Sequence, residues 1–157
     1  MSWRLATVMC VIFVADQATK WLASSYLIYA QSIELAPFFS LTLLHNTGAA
    51  FSFLADAGGW QRWLFLALAV VVTGYCLRAL WVEELSLWVT VGYALLVPGA
   101  LGNAIDRVLF GYVVDFLHFH WQGWSFPAFN IADASITLAA VFLLIGWYVD
   151  ARHRPEL

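Results

Sequence analysis

The sequence predicts a mainly α membrane protein, with four transmembrane helices, a small extracytoplasmic β-sheet and a short interfacial helix. Three observations predict it. Hydrophobic residues make up 63% of the 157 positions and charged residues 11%, where soluble domains hold roughly 45–50% and 25%; so few charges cannot coat a water-facing surface. Four windows approach the roughly 20 residues that a helix needs to cross a bilayer: Trp3 to Leu22, Trp63 to Trp81, Leu85 to Arg107 and Ile131 to Val149. Nine Trp, six Tyr and twelve Phe are the side chains that gather at the two water interfaces of a membrane.

The first window follows Arg4 and loosely resembles a cleavable leader, but Asp16 and Lys20 interrupt that pattern and three further spans follow, so an uncleaved span is expected. Four spans place both termini on one side. That side carries Arg4, Arg78, Arg152 and Arg154, and the other Lys20, Arg62 and Arg107, so the positive-inside rule puts the termini in the cytoplasm by a narrow margin. Segments 23–61 and 108–130 then lie outside together. In the first, Phe39 to Leu44 reads as a strand after the breaker Pro37, His45 to Gly48 as a turn, and Ala49 to Leu54 as the short interfacial helix. Only Val82, Glu83 and Glu84 separate the second and third windows, a tight cytoplasmic turn. No repeat, low-complexity tract or linker appears, so a single domain is expected over residues 1–157. Cys10 and Cys76 sit in apolar runs and offer neither a disulfide framework nor a metal spacing. A net charge of −3 gives no basic patch for nucleic acid.

Ionisable groups within such spans cost about 2.5–3.5 kcal/mol each on insertion scales, so each is read as paired or functional. Asp16 and Lys20 stand four apart on one helix face, as an ion pair or as direct site residues. Gly99, Asn103, Asp106 and Arg107 follow helical spacing along one stripe with Gly102 beside them, which suits close helix approach and cross-helix hydrogen bonds. Arg107 could also hold backbone carbonyls or a carboxylate, and Asp106, adjacent to it, reads as structural. Asn130 and Asp133 have the spacing of a helix cap and a first-turn acid. Asp115 lies in the apolar stretch 111–116, where desolvation or a neighbouring carboxylate would raise its pKa. If 117–129 folds back as a hairpin, with Trp121, Trp124, Phe126 and Phe129 at the interface, Asp115 and Asp133 can meet and share a proton. One would then activate a water while the other protonates a carbonyl oxygen, hydrolysing a peptide without a covalent intermediate. His118 and His120 invite a zinc reading, but no third ligand stands near, and an interfacial hairpin is the plainer account; no metal is expected. A serine hydrolase is unsupported, since no elbow pattern accompanies a Ser, His and Asp set. The competing class is a small membrane transporter or proton relay built on Asp16, Asp106, Asp115 and Asp133, although no internal repeat is present.

Five motifs in one order resemble the bacterial prolipoprotein signal peptidase family, signal peptidase II. They are Asp16-Gln17-Ala18-Thr19-Lys20, Asn46-Thr47-Gly48-Ala49-Ala50-Phe51, the stretch from Gly99 to Arg107, Val113-Val114-Asp115-Phe116, and Phe129-Asn130-Ile131-Ala132-Asp133. The resemblance implies an aspartyl endopeptidase with Asp115 and Asp133 as the catalytic pair. It also implies support from Asp16, Lys20, Asn46, Gly48, Asn103, Asp106, Arg107 and Asn130. The implied substrates are diacylglyceryl-modified prolipoproteins within membrane lipid, cut on the N-terminal side of the lipid-bearing cysteine near the outer face of the cytoplasmic membrane. No cofactor and a monomer are expected. Two departures stand out: Pro98-Gly99 where the family has a glycine pair, and Ala134-Ser135 where it has a serine directly after the aspartate.

Overall fold

In the computed structural model, residues 1–48 and 59–152 are described. Four helices are long and apolar enough to cross a membrane: α1 (Trp3–Tyr26), α2 (Trp60–Val82), α3 (Leu87–Leu109) and α4 (Ile131–Arg152). The strands are β1 (Ser32–Ala36), β2 (Phe39–Asn46), β3 (Val113–Trp121) and β4 (Trp124–Ser125), which form one antiparallel sheet in the order β1-β2-β3-β4. The interfacial helix expected at 49–54 lies outside the described residues.

Helix α3 packs against α1, α2 and α4, and is the axis of the bundle. Small residues make that possible. A Cβ on Gly99 would lie 2.7 Å from the Ala132 carbonyl, and one on Gly92 2.7 Å from the Leu143 side chain. Apolar chains gain nothing by leaving lipid for one another, so close backbone approach and cross-helix hydrogen bonds hold such helices together. Pro98 sits buried within α3 and removes one ladder hydrogen bond. Beside it, Ser135 Oγ donates to the Leu95 carbonyl at 2.7 Å. The two departures from the family pattern therefore lie on one seam, where the serine of α4 supports the turn of α3 that holds the proline.

The sheet rests on the end of α1. Ala23, Leu43, Val114 and Phe116 form a buried apolar cluster, with Leu27 and Leu41 against it; each of the larger side chains contributes about 1.5–3 kcal/mol by leaving water. This explains why α1 runs to Tyr26, four residues past the expected end at Leu22: Ala23 faces a core that the sequence alone does not reveal. Pro37 and Phe38 form the turn between β1 and β2. Strand β2 pairs with β3 from Phe39↔Phe119 to Asn46↔Val113, with an irregularity between Leu41 and Leu44. The fold-back expected of 117–129 is present. Gln122 and Gly123 carry positive φ of 45° and 87° at its tip, as a two-residue hairpin turn requires. Phe129 pairs with Leu117 near its base.

Candidate active site

The site lies where the C-terminal half of α3, the start of α4 and the inner ends of β2 and β3 meet α1. Three asparagines organise it, and their orientation follows from their partners. A backbone N–H or an ammonium can only donate, so whichever side-chain atom faces it must be the oxygen. Asn130 Oδ1 accepts from the Asp133 N–H at 2.8 Å, Asn103 Oδ1 from Lys20 Nζ at 3.0 Å, and Asn46 Oδ1 from the Gly48 N–H at 2.9 Å. Each NH2 group is thereby turned towards a carboxylate. Asn130 Nδ2 reaches Asp115 Oδ1 at 2.7 Å, Asn103 Nδ2 reaches Asp133 Oδ1 at 2.7 Å, and Asn46 bonds Asp115.

Asn130 holds both candidate carboxylates at once. Its backbone N–H also donates to Asp133 Oδ2 at 3.3 Å, so Asn130 and Asp133 form a reciprocal cap at the start of α4. Asp115 arrives from β3 because Leu117 pairs with Phe129, the residue before Asn130. Burial raises the Asp115 pKa first and the charge of Asp133 raises it further; the amides of Asn46 and Asn130 and the charge of Lys20 pull the other way, and the balance lies at about 7. A carboxyl at that value can give and take a proton at neutral pH.

Beneath the pair lies a buried ionic cluster. Lys20 Nζ bonds Asp16 Oδ2 at 2.9 Å and Asp106 Oδ2 at 3.0 Å. Asp16 Oδ1 accepts from the Ala132 N–H at 2.8 Å, and Asp106 Oδ2 from the Val114 N–H at 3.1 Å. The cluster therefore ties α1 to α3, to the first turn of α4 and to β3. Lys20 is not confined to Asp16: Asp106 of α3 is a second partner of the lysine. Asp106 thus pairs with Lys20 of α1. Gly102 passes so close to Asp16 that any Cβ there would strike the carboxylate. Gln17 was not singled out by the sequence; its Nε2 lies within 3.3 Å of Asp16, the Gly102 carbonyl and Asp106. Its place beside Asp16 in an apolar helix is the one signal that could have flagged it.

Arg107 bonds the Asn103 carbonyl at 3.2 Å and lies 4.7 Å from the centre of the Phe65 ring. Its buried Nε has no hydrogen-bond partner among the described residues. The guanidinium, with Asn103, forms the polar end of a cavity of about 280 Å³ whose walls include Phe65, Ala69, Leu96, Ala100 and Ile136. Gly48, at φ 100°, passes over the same ring: a Cβ there would lie 2.9 Å from Phe65. His118 and His120 sit apart from all this on β3. His118 Nε2 meets Ser125 Oγ at 2.7 Å and its Nδ1 meets Thr42 Oγ1 at 3.2 Å. Among the described residues, no group of three His, Cys, Asp or Glu is arranged to hold a metal ion.

The family model described as signal peptidase (SPase) II matches residues 8–149. The chain belongs to the signal peptidase II family. It is 47% identical over 157 residues to a lipoprotein signal peptidase of Acinetobacter baumannii, covering 98% of this chain and 87% of that one. It is 46% identical over 155 residues to the lipoprotein signal peptidase of Neisseria meningitidis, covering 98% and 92%. A bacterial membrane enzyme solved by the in meso method at 2.3 Å superposes with a TM-score of 0.85 at 30% identity, covering 98% of this chain and 93% of that one. Membership of the signal peptidase II family, together with the four apolar helices, makes this a multi-pass bacterial membrane protein and a protease.

Proposed function

We propose that the protein removes signal peptides from prolipoproteins, hydrolysing the bond on the N-terminal side of a diacylglyceryl-modified cysteine, with Asp115 and Asp133 as an aspartyl dyad. The observation that carries this reading is Asn130, whose side chain and backbone bind both carboxylates. The family and its lipoprotein signal peptidase relatives support the substrate. Gathering at one end of the bundle argues against a relay through Asp16, Asp106, Asp115 and Asp133, which would need carboxylates along the path.

In the mechanism we infer, the two carboxyls share one proton. Asp133, held by Asn103 and its own helix start, takes a proton from water as the water oxygen attacks the scissile carbonyl carbon. Asp115 gives its proton to the carbonyl oxygen, and a neutral gem-diol forms. When the C–N bond breaks, the amine leaves with the proton now on Asp133, and a diol hydroxyl returns one to Asp115. The Nε of Arg107, unpartnered among the described residues, is a donor for a backbone carbonyl of the bound peptide, and the cavity beside it takes the apolar signal segment. Asp16, Lys20 and Asp106 hold Asn103, β3 and α4 in place. The chain acts as one monomeric domain, with both termini cytoplasmic and the dyad near the outer face.

The test is cleavage of a diacylglyceryl-modified precursor and of its unlipidated twin by purified protein. Asp115→Asn and Asp133→Asn are each expected to stay folded in detergent and to lose cleavage, and EDTA to leave the wild-type rate unchanged. Substantial turnover by either variant would remove the dyad, and EDTA inhibition reversed by zinc would replace it with a metal.

A further inference from the structure

We propose that an aromatic platform on the sheet seats the glyceryl lipid of the substrate, on the first methylenes of its acyl chains. The inference rests on the prolipoprotein reading above and locates what that reading leaves open. Residues two apart on a strand share a face, so Asp115, Leu117 and Phe119 project from the same side of β3. Cross-strand pairing puts Phe39 beside Phe119. From there ring contacts run without a break: Phe39 to Phe119 at 5.0 Å, Phe119 to Phe129 at 5.9 Å, Phe129 to Phe126 at 6.0 Å and Phe126 to Trp124 at 6.0 Å. Phe129 immediately precedes Asn130, so the platform begins one residue from the group that binds both carboxylates.

The two faces of the sheet differ in chemistry. Away from Asp115, Glu34, Ser40, His118 and His120 line a polar pocket, as suits water. On the Asp115 side no ionisable group among the described residues lies among the platform rings, yet Phe119 is 40%, Phe126 46% and Trp124 62% exposed. A contiguous exposed apolar surface of this kind is a binding surface for apolar partners. The proposed substrate has two apolar limbs joined next to the bond that is cut: the signal segment and the lipid on the cysteine. The cavity among the helices receives the first. Continuity with Asp115 and Asn130 assigns the platform to the second.

The experiment compares kcat/KM on two precursors of identical peptide sequence, one bearing a dipalmitoylglyceryl and one a diacetylglyceryl group. Measurements are made in one detergent, for the wild type and for Phe119→Ser/Phe126→Ser. Wild type is expected to prefer the long-chain precursor, and the double variant to lower that preference by about tenfold or more, as loss of two apolar contact surfaces implies. Phe119→Leu/Phe126→Leu, which keeps the apolar volume, is expected to retain most of the preference and guards against misfolding. An equal fall on both precursors would assign the platform to membrane anchoring and overturn the proposal, as would a wild-type preference near one. Cleavage of neither precursor by the wild type would instead overturn the prolipoprotein reading.

Discussion

Replacing Asn130 by alanine should move the alkaline limit of activity upward, and the size of the move follows from three distances. The Asn130 amide spreads its hydrogens over Asp115 Oδ1 at 2.7 Å, the Val114 carbonyl at 3.1 Å and Asn103 Oδ1 at 3.3 Å, so the shortest bond goes to the carboxylate. A hydrogen bond to a charged group contributes about 1.5–3 kcal/mol, which is about one to two pH units at 1.36 kcal/mol per unit. The amide is shared, so the lower end applies. Asn130 favours the charged form of Asp115 and holds its pKa down to about 7; without it the proton stays on to higher pH. The descending alkaline limb of a kcat–pH profile should therefore shift up by about one unit. Alanine also removes the cap of α4, at a cost of about 0.5–2 kcal/mol. Asn130→Ser separates the two effects, since serine caps a helix but is too short to take the amide's place at Asp115. An alkaline limb that stays put or moves downward in both variants would refute the reasoning.

Two more outcomes follow from the same geometry. A carboxyl whose pKa is raised on folding binds more protons folded than unfolded, so it lowers stability as pH rises from its ordinary value near 4 to about 7, by at most about 1.4 kcal/mol per unit; Asp115→Asn should remove that slope and melt above wild type at pH 8 in a detergent thermal scan, and an unaltered Tm–pH slope would contradict it. Lys20→Met should cost about 3–5 kcal/mol by leaving Asp16 and Asp106 buried without their cation, while Lys20→Met with Asp106→Asn should recover part of the loss; a double variant no more stable than the single one would count against the shared ion pair.

The spans were legible because apolarity over 20 residues is a long signal, and Asp16 with Lys20 because four residues is one helical turn. What sequence spacing could not supply was partnership across elements. Asp106 is 86 positions from Lys20, and nothing local tells that its carboxylate will pair with that distant lysine. Strand β1 went unread because its residues are mostly exposed and include Glu34, leaving no alternation to detect. The hairpin was foreseeable from its tip, but the direction in which each asparagine turns its amide was not, because the atoms that fix it come from Lys20, Asp133 and Gly48. Asn46, Gly48 and Asn103 entered the candidate site through family resemblance, and geometry then gave each a partner.

The reciprocal cap at the start of α4 has a consequence for the birth of the molecule. Asp133 completes a helix start that also needs Asn130, and Ala132 beside it binds Asp16 from the first span. Asp115 reaches that place only after the hairpin has closed. On the proposed chemistry, a chain halfway through insertion holds its carboxylates apart and cannot cut its neighbours.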